Sequence, residues 1–145
     1  SLLKKKRGKR KIVFTNGCFD VLHLGHVTYL EKARRQGALL VVALDTDEAV
    51  RKQKGDLRPL NTLTDRLQVI AALASVDYVT WFDGSDPRPL IRTLKPDILV
   101  KGGDWKPGQI LGSEEVWGWG GIVKSLPFVK GRSTTALIQK ARKKR

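Results

Sequence analysis

His23 and His26 are the only histidines in the 145-residue chain, and they stand three positions apart with Gly25 between them. Two imidazoles at that spacing can donate to one phosphate, and a glycine between them lets the backbone come close to it. A lone pair of this kind is as readily a surface or satisfied core feature. The surroundings change the weighting. Lys11 to Thr15 reads as a buried strand bounded by the turn signal Asn16-Gly17. From about Gly25, Val27, Leu30 and Ala33 recur at helical spacing until Gln36-Gly37, where glycine is the expected stop. A helix entered directly from a strand turns its unpaired N–H groups and positive dipole end toward the sheet edge. That makes an anion site before any side chain is counted, and phosphate is the expected guest.

Three further stretches carry chemistry. Lys52 to Pro59 holds Lys54 and Arg58 around a glycine and a proline. A charged loop of this type is commonly just solvated, but its position beside the first turn suits a substrate phosphate. Lys101-Gly102-Gly103-Asp104-Trp105 follows the apolar run Asp97 to Val100, where open α/β sheets bind ligands, although a Gly-Gly-Asp turn can be no more than a turn. Lys130 to Thr135 precedes a closing helix patterned by Leu137, Ile138 and Ala141. There Ser133 can be a plain helix cap, and the same hydroxyls and free N–H groups would suit phosphate oxygens.

The stretch from Thr15 to His26, T-N-G-C-F-D-V-L-H-L-G-H, resembles the signature of the cytidylyltransferase-like nucleotidyltransferase superfamily, whose H-x-G-H motif lies at the first strand-to-helix turn. The resemblance extends from about Lys11 to Gln139 and implies transfer of a nucleotidyl group from ATP or CTP. It implies that His23 and His26 act catalytically on the nucleotide phosphates, and that Thr15, Asn16, Gly17, Cys18, Phe19 and Gly25 lie against the nucleotide. K-G-G-D-W resembles the element of the sugar-phosphate branch and would put Lys101, Gly103 and Asp104 there too. Arg132-Ser133-Thr134-Thr135 resembles the second family signature, which contacts the triphosphate at the start of the final helix. Arg132 replaces the isoleucine usual in cytidylyltransferases, which leans the expectation away from enzymes acting on glycerol phosphate. Together the motifs look most like the adenylyltransferases that convert a heptose 1-phosphate to ADP-heptose, here without the sugar kinase domain of fused relatives. Mg²⁺ is implied by the triphosphate rather than by a carboxylate cluster. Lys54, Arg58 and Arg66 are the candidates for the acceptor phosphate and the leaving group.

The elements that must position these residues follow from alternation of apolar runs and helical patterns. Ala38 to Leu44 reads as a strand covered on both faces, Thr62 to Ala74 as a helix with Arg66 off its apolar face, and Tyr78 to Phe82 as a strand. Helices are expected after Asp86-Pro87 and over Ser113 to Trp119, with a last strand from Gly121 to Ser125. The prediction is an α/β fold, a Rossmann-like doubly wound sheet of five parallel strands, with residues 1–10 a basic tail and 11–145 one domain.

Composition bounds the remaining classes. The single cysteine, Cys18, excludes an intramolecular disulfide framework and a cysteine-rich zinc site, and a reducing cytoplasm is the expected setting. No apolar run approaches a membrane span, and SLLKKKRGKRK lacks the core of a secretory signal, so no membrane partner is expected. The net charge of +14 attracts polyanions, but much of it sits in Lys4 to Lys11 and Lys140 to Arg145, which read as solvated ends. A nucleic-acid-binding module is therefore the weaker alternative, alongside a cytidylyltransferase acting on an alcohol phosphate and a non-catalytic nucleotide sensor. Trp117 and Trp119 beside glycines suggest a homodimer contact.

Overall fold

Each apolar run becomes a strand: β1 (Ile12–Gly17), β2 (Leu39–Asp45), β3 (Tyr78–Phe82), β4 (Ile98–Gly102) and β5 (Ile122–Leu126). Between and after them lie α1 (Leu24–Arg34), α2 (Asp47–Lys54), α3 (Leu63–Ala71), α4 (Arg88–Leu94), α5 (Ser113–Gly118) and α6 (Thr134–Lys143). The computed structural model of the chain describes residues 8–143. Its strands form one parallel sheet in the order β3-β2-β1-β4-β5, the predicted Rossmann-like architecture.

Alternation along β1 shows why both faces need helices. Ile12 and Phe14 point to one side, where Ile91 of α4 and Val116 of α5 complete the packing. Val13 points to the other, against Leu30 and Ala33 of α1 and Ile70 of α3. Phe14, Val13 and Leu30 are fully buried, each worth about 1.5–3 kcal/mol of apolar transfer free energy. β2 is buried along its whole length, as a central parallel strand requires.

Carboxylates tie down the starts of the strands. Asp97 Oδ2 accepts from Ile12 N at 2.8 Å, and Asp77 Oδ2 accepts from Leu40 N at 2.8 Å while pairing with Arg34. β1 pairs with β2 from Ile12 to Gly17, but with β4 only at Val13–Ile98 and Phe14–Leu99.

Several boundaries differ from the sequence expectations. α2 runs on through Lys54, so the expected loop begins three residues later, and Thr46 caps the helix by accepting from Ala49 N. α3 is capped by Thr62 but stops at Ala71, because the chain turns over Ala72 to Val76 to bring Asp77 to Leu40. The basic C-terminal run is not a tail as far as Lys143, since Lys140 to Lys143 belong to α6, and Lys144 and Arg145 lie outside the described residues. The same holds for Ser1 to Arg7 of the expected N-terminal tail. Trp119 packs against the core and donates its indole N–H to Pro96 O at 2.8 Å, so of the two tryptophans only Trp117 presents an exposed ring. Among the described residues no helix is long and apolar enough to cross a membrane.

Candidate functional site

The chain leaves β1 toward β2 on one side and later returns to β4 on the other, so the order of the sheet reverses between β1 and β4. Ligands of open α/β sheets bind outside the carboxyl ends of strands at such a reversal. A cleft of about 370 Å³ lies there, within the range of small-molecule sites. Asn16 and Gly17 at the end of β1, Asp45 at the end of β2, and Lys101 and Gly102 at the end of β4 form its floor. The N-terminal ends of α1 and α6 both border it.

His23 is the N-cap of α1, with an extended backbone and no side-chain capping bond. Its carbonyl accepts from His26 N and Val27 N, and its ring stacks on that of His26 with centroids 3.8 Å apart. Nδ1 of each imidazole is buried without a hydrogen-bond partner among the described residues. Burial holds both rings below the ordinary histidine range. For His26 the neighbouring His23 and Lys54 add to that effect, and its pKa falls to about 4. Both rings are therefore neutral at pH 7, with polar nitrogens left for a ligand. Gly25 permits the stack, because a Cβ there would come within 2.7 Å of the His23 ring. Phe19 also stands beside His26, with ring centroids 5.2 Å apart, and is held in the left-handed region at φ 48°. A bulky residue in that region costs of order 1–3 kcal/mol, strain typical of ligand-clamping turns.

Beside the start of α1, Ser133 caps α6 by accepting from Ala136 N at 3.0 Å, and Thr134 donates its hydroxyl to Val21 O at 2.9 Å. That bond ties α6 to the segment entering α1, and Arg132, Ser133, Thr134 and Thr135 all border the cleft. Cys18 also borders it. Burial pushes its thiol up, which favours the protonated filler over a thiolate nucleophile.

Lys54 and Arg58 line the cleft, but Arg66 does not. It is 1% exposed, and its guanidinium donates to Asn61 O, Cys18 O, Asp45 O and the Asp47 carboxylate at 2.7–3.1 Å. Arg66 is thus a buried tie beneath the site and not a substrate ligand, because its donors are taken up by carbonyls from three separate segments and one carboxylate. Thr15 is likewise corrected. It is fully buried and its hydroxyl shares a 2.6 Å hydrogen bond with Tyr29 OH, one layer under the cleft. Gly103 and Asp104 border an adjoining groove with Trp105, because Gly103 turns the chain away at φ 110°.

Among the cleft residues that sequence reasoning missed, Tyr29, Asp45, Phe128 and Asp20 shape it most. Tyr29 supports Thr15 and reaches the cleft wall, and Asp45 is a buried carboxylate in its floor, pushed up by burial. Phe128 lies across Gly102, where a Cβ would meet its ring at 2.6 Å, and separates the cleft from the groove. Asp20, 4% exposed, binds the segment from Arg58 to Asn61. For Asp20 a signal existed, since it sits inside the T-N-G-C-F-D motif; for Phe128 there was none.

Two neutral histidines with unpartnered nitrogens at a helix start, in a cleft at the carboxyl ends of a doubly wound sheet, could receive a phosphate, and similarity to known proteins gives the class. A family model described as cytidylyltransferase-like matches residues 14–143. The chain belongs to that family and is a nucleotidyltransferase. It is 54% identical over 140 residues to the bifunctional protein HldE of Actinobacillus succinogenes, covering 97% of this chain and 29% of that protein. With the bifunctional protein HldE of Actinobacillus pleuropneumoniae it shares 56% identity over 136 residues, covering 94% of this chain and 28% of the relative. The chain thus spans less than a third of the length of these relatives. Among solved structures, the lipopolysaccharide core biosynthesis protein from Thermoplasma volcanium superposes with a TM-score of 0.67 at 29% identity, over 85% of this chain and 99% of that one. Pantothenate synthetase from Thermus thermophilus, at 16% identity and a TM-score of 0.65 over 99% of this chain and 67% of that one, shares the fold.

Proposed function

We propose that the chain transfers AMP from ATP to a sugar 1-phosphate, D-glycero-D-manno-heptose 1-phosphate, releasing pyrophosphate and giving ADP-heptose. The observation that carries this reading is the stacked His23–His26 pair, with buried unpartnered nitrogens at the N-terminus of α1. The sugar is supported by the resemblance of the K-G-G-D-W and R-S-T-T elements to the heptose branch, and by likeness to a lipopolysaccharide core biosynthesis protein.

An ionised oxygen of the sugar phosphate attacks the α-phosphorus of ATP in line. The new P–O bond forms as the bond to the bridging oxygen of pyrophosphate breaks. The nucleophile is already an anion at pH 7, so no proton has to be removed, and rate comes from positioning and charge neutralisation. His23 and His26 donate to the α- and β-phosphates, backbone N–H groups at the start of α1 add to them, and Ser133 to Thr135 hold the triphosphate. Lys54 and Arg58 serve the acceptor phosphate and the leaving group. Among the described residues no group of three or more His, Cys, Asp or Glu could hold a metal. Mg²⁺ would therefore arrive with the nucleotide rather than on protein ligands, and would supply further charge neutralisation.

The reading includes a cytoplasmic setting, where ATP and a reduced Cys18 belong together, and a homodimer using exposed Trp117, for which light scattering is the check. The deciding experiment measures pyrophosphate release over a matrix of nucleoside triphosphates and sugar 1-phosphates. ATP with the heptose 1-phosphate should be the best pair. Preference for CTP with glycerol 3-phosphate would replace the substrates, and tight ATP binding without turnover would make the chain a sensor.

A further inference from the structure

Asp20 ends the turn that carries Cys18 and Phe19, and its side chain is 1% exposed. Its Oδ1 accepts from Leu60 N at 3.0 Å and Asn61 N at 2.9 Å, and its Oδ2 accepts from Leu60 N and Arg58 Nε, each at 2.9 Å. The Asp20 carbonyl in turn accepts from Asn61 Nδ2 at 2.7 Å. Burial pushes the carboxyl up, but the N–H groups of Asn61 and Leu60 together with Arg58 outweigh it and hold the group ionised below its usual range. The segment between α2 and α3 is thereby fastened to the nucleotide turn at one point.

The consequence for Arg58 is specific. An arginine and a carboxylate commonly meet fork to fork, with two parallel N–H···O bonds. Here Oδ1 is occupied by backbone N–H groups, so the carboxylate binds Arg58 through Nε alone. The Arg58 side chain is 12% exposed and borders the cleft, and its Nη2 is buried with no partner among the described residues. Leaving a charged donor unsatisfied in a buried place is costly unless a ligand completes it. Asp20 itself is no candidate for acid, base or metal ligand, because both its oxygens already accept.

We infer that Asp20 is a positioning residue, holding Arg58 side-on by Nε so that Nη2 is offered to a phosphate oxyanion in the cleft. This subsite lies in the same cleft as the histidine pair but is built from the segment between α2 and α3. The inference rests on the proposed AMP transfer only for the identity of the anion, the acceptor's phosphate or the departing pyrophosphate.

The test uses the whole chain with inorganic phosphate and pyrophosphate as probes, followed by calorimetry and by NMR of ¹⁵N-labelled arginine side chains. Arg58 signals should move on addition of a probe, and Arg58→Ala should weaken its binding about 10- to 100-fold, the worth of a charge-assisted hydrogen bond. Asp20→Asn should give a similar loss, and the double variant no more than Arg58→Ala alone. Greater weakening of inorganic phosphate, with a raised KM for the sugar phosphate, assigns the acceptor; greater weakening of pyrophosphate, with that KM unchanged, assigns the leaving group. A merely structural role would raise the KM for ATP equally. Should Asp20→Asn fail to fold, Arg58→Lys on intact Asp20 decides: lysine keeps the charge but cannot be held by Nε, so wild-type probe affinity in that variant overturns the inference. So does a folded Asp20→Asn protein with unchanged affinity, or an Arg58 signal indifferent to saturating probe. Turnover without an Arg58 response sinks this inference alone, whereas an Arg58 response without AMP transfer to any sugar phosphate sinks the functional reading alone.

Discussion

Two clusters of basic side chains lie at the carboxyl end of the sheet, and they differ in what their nitrogens touch. Around Arg66, donors reach three carbonyls and a carboxylate from segments far apart in the chain. At the start of α1, the Nδ1 atoms of His23 and His26 have no hydrogen-bond partner among the described residues. Buried polar groups are almost always satisfied, so the first cluster reads as scaffold and the second as an arrangement completed by a ligand. Basic character alone would have assigned both to substrate. Partner accounting separates them.

The comparison breaks first at Arg66. Arg66→Ala leaves the Asp47 carboxylate and three carbonyls without their donor and should cost roughly 3–5 kcal/mol of stability, read as a lower midpoint in urea unfolding. Arg66→Ala with wild-type stability but a raised KM for the sugar phosphate would return it to the substrate side.

His26→Ala should do the reverse, with turnover about 10²- to 10³-fold lower, the scale of one lost transition-state donor, and unfolding little changed. Near wild-type kcat would remove the phosphate role.

Gly25→Ala sharpens the contrast further. A methyl group in the first turn of a helix should not lower the melting temperature, since alanine is the better helix former. It must displace the His23 ring that now lies 2.7 Å from the added carbon, and turnover should fall about tenfold for a misplaced donor. Unchanged turnover would show that the stacked geometry is incidental.

The smallest effect is a proton. His26 titrates near 4 in the folded chain against 6.5 ordinarily, so between those values the unfolded chain binds more protons. Its contribution to stability is full above about pH 6.5 and is lost as pH falls toward about 4. A bound triphosphate favours the imidazolium and raises that pKa. ATP binding near pH 6 should therefore take up a fraction of a proton, measured as a binding enthalpy that varies with the ionisation enthalpy of the buffer. No variation would mean that the anion sits away from the pair.

Much of this was legible in the sequence, and the misses have physical causes. Strands were readable because parallel strands buried on both faces are continuous apolar runs, as in Leu39 to Leu44. The histidine pair was readable because strand, turn and helix are local. Arg66 was misjudged because its partners come from Cys18 and Asp45, 48 and 21 positions away, and helical periodicity contains no such information. Thr15 could have been placed correctly, since it shares the parity of Val13 and must face α1 beneath the cleft. For Gly103 and Asp104 the motif was seen, but the direction of the turn follows from one positive φ.

The pairing of β1 with β4 ends at Phe14 and Leu99, while β1 stays with β2 as far as Gly17. The central seam of the sheet is closed at its base, where Asp97 binds Ile12 N, and parts toward the cleft. Backbone amides near that opening are the ones local fluctuations should reach most easily, so exchange with solvent deuterium should be fastest there among the central strands. A molecule touching both Asn16 on β1 and Lys101 on β4 spans the parted ends, and slowed exchange at those amides would report its arrival without any turnover.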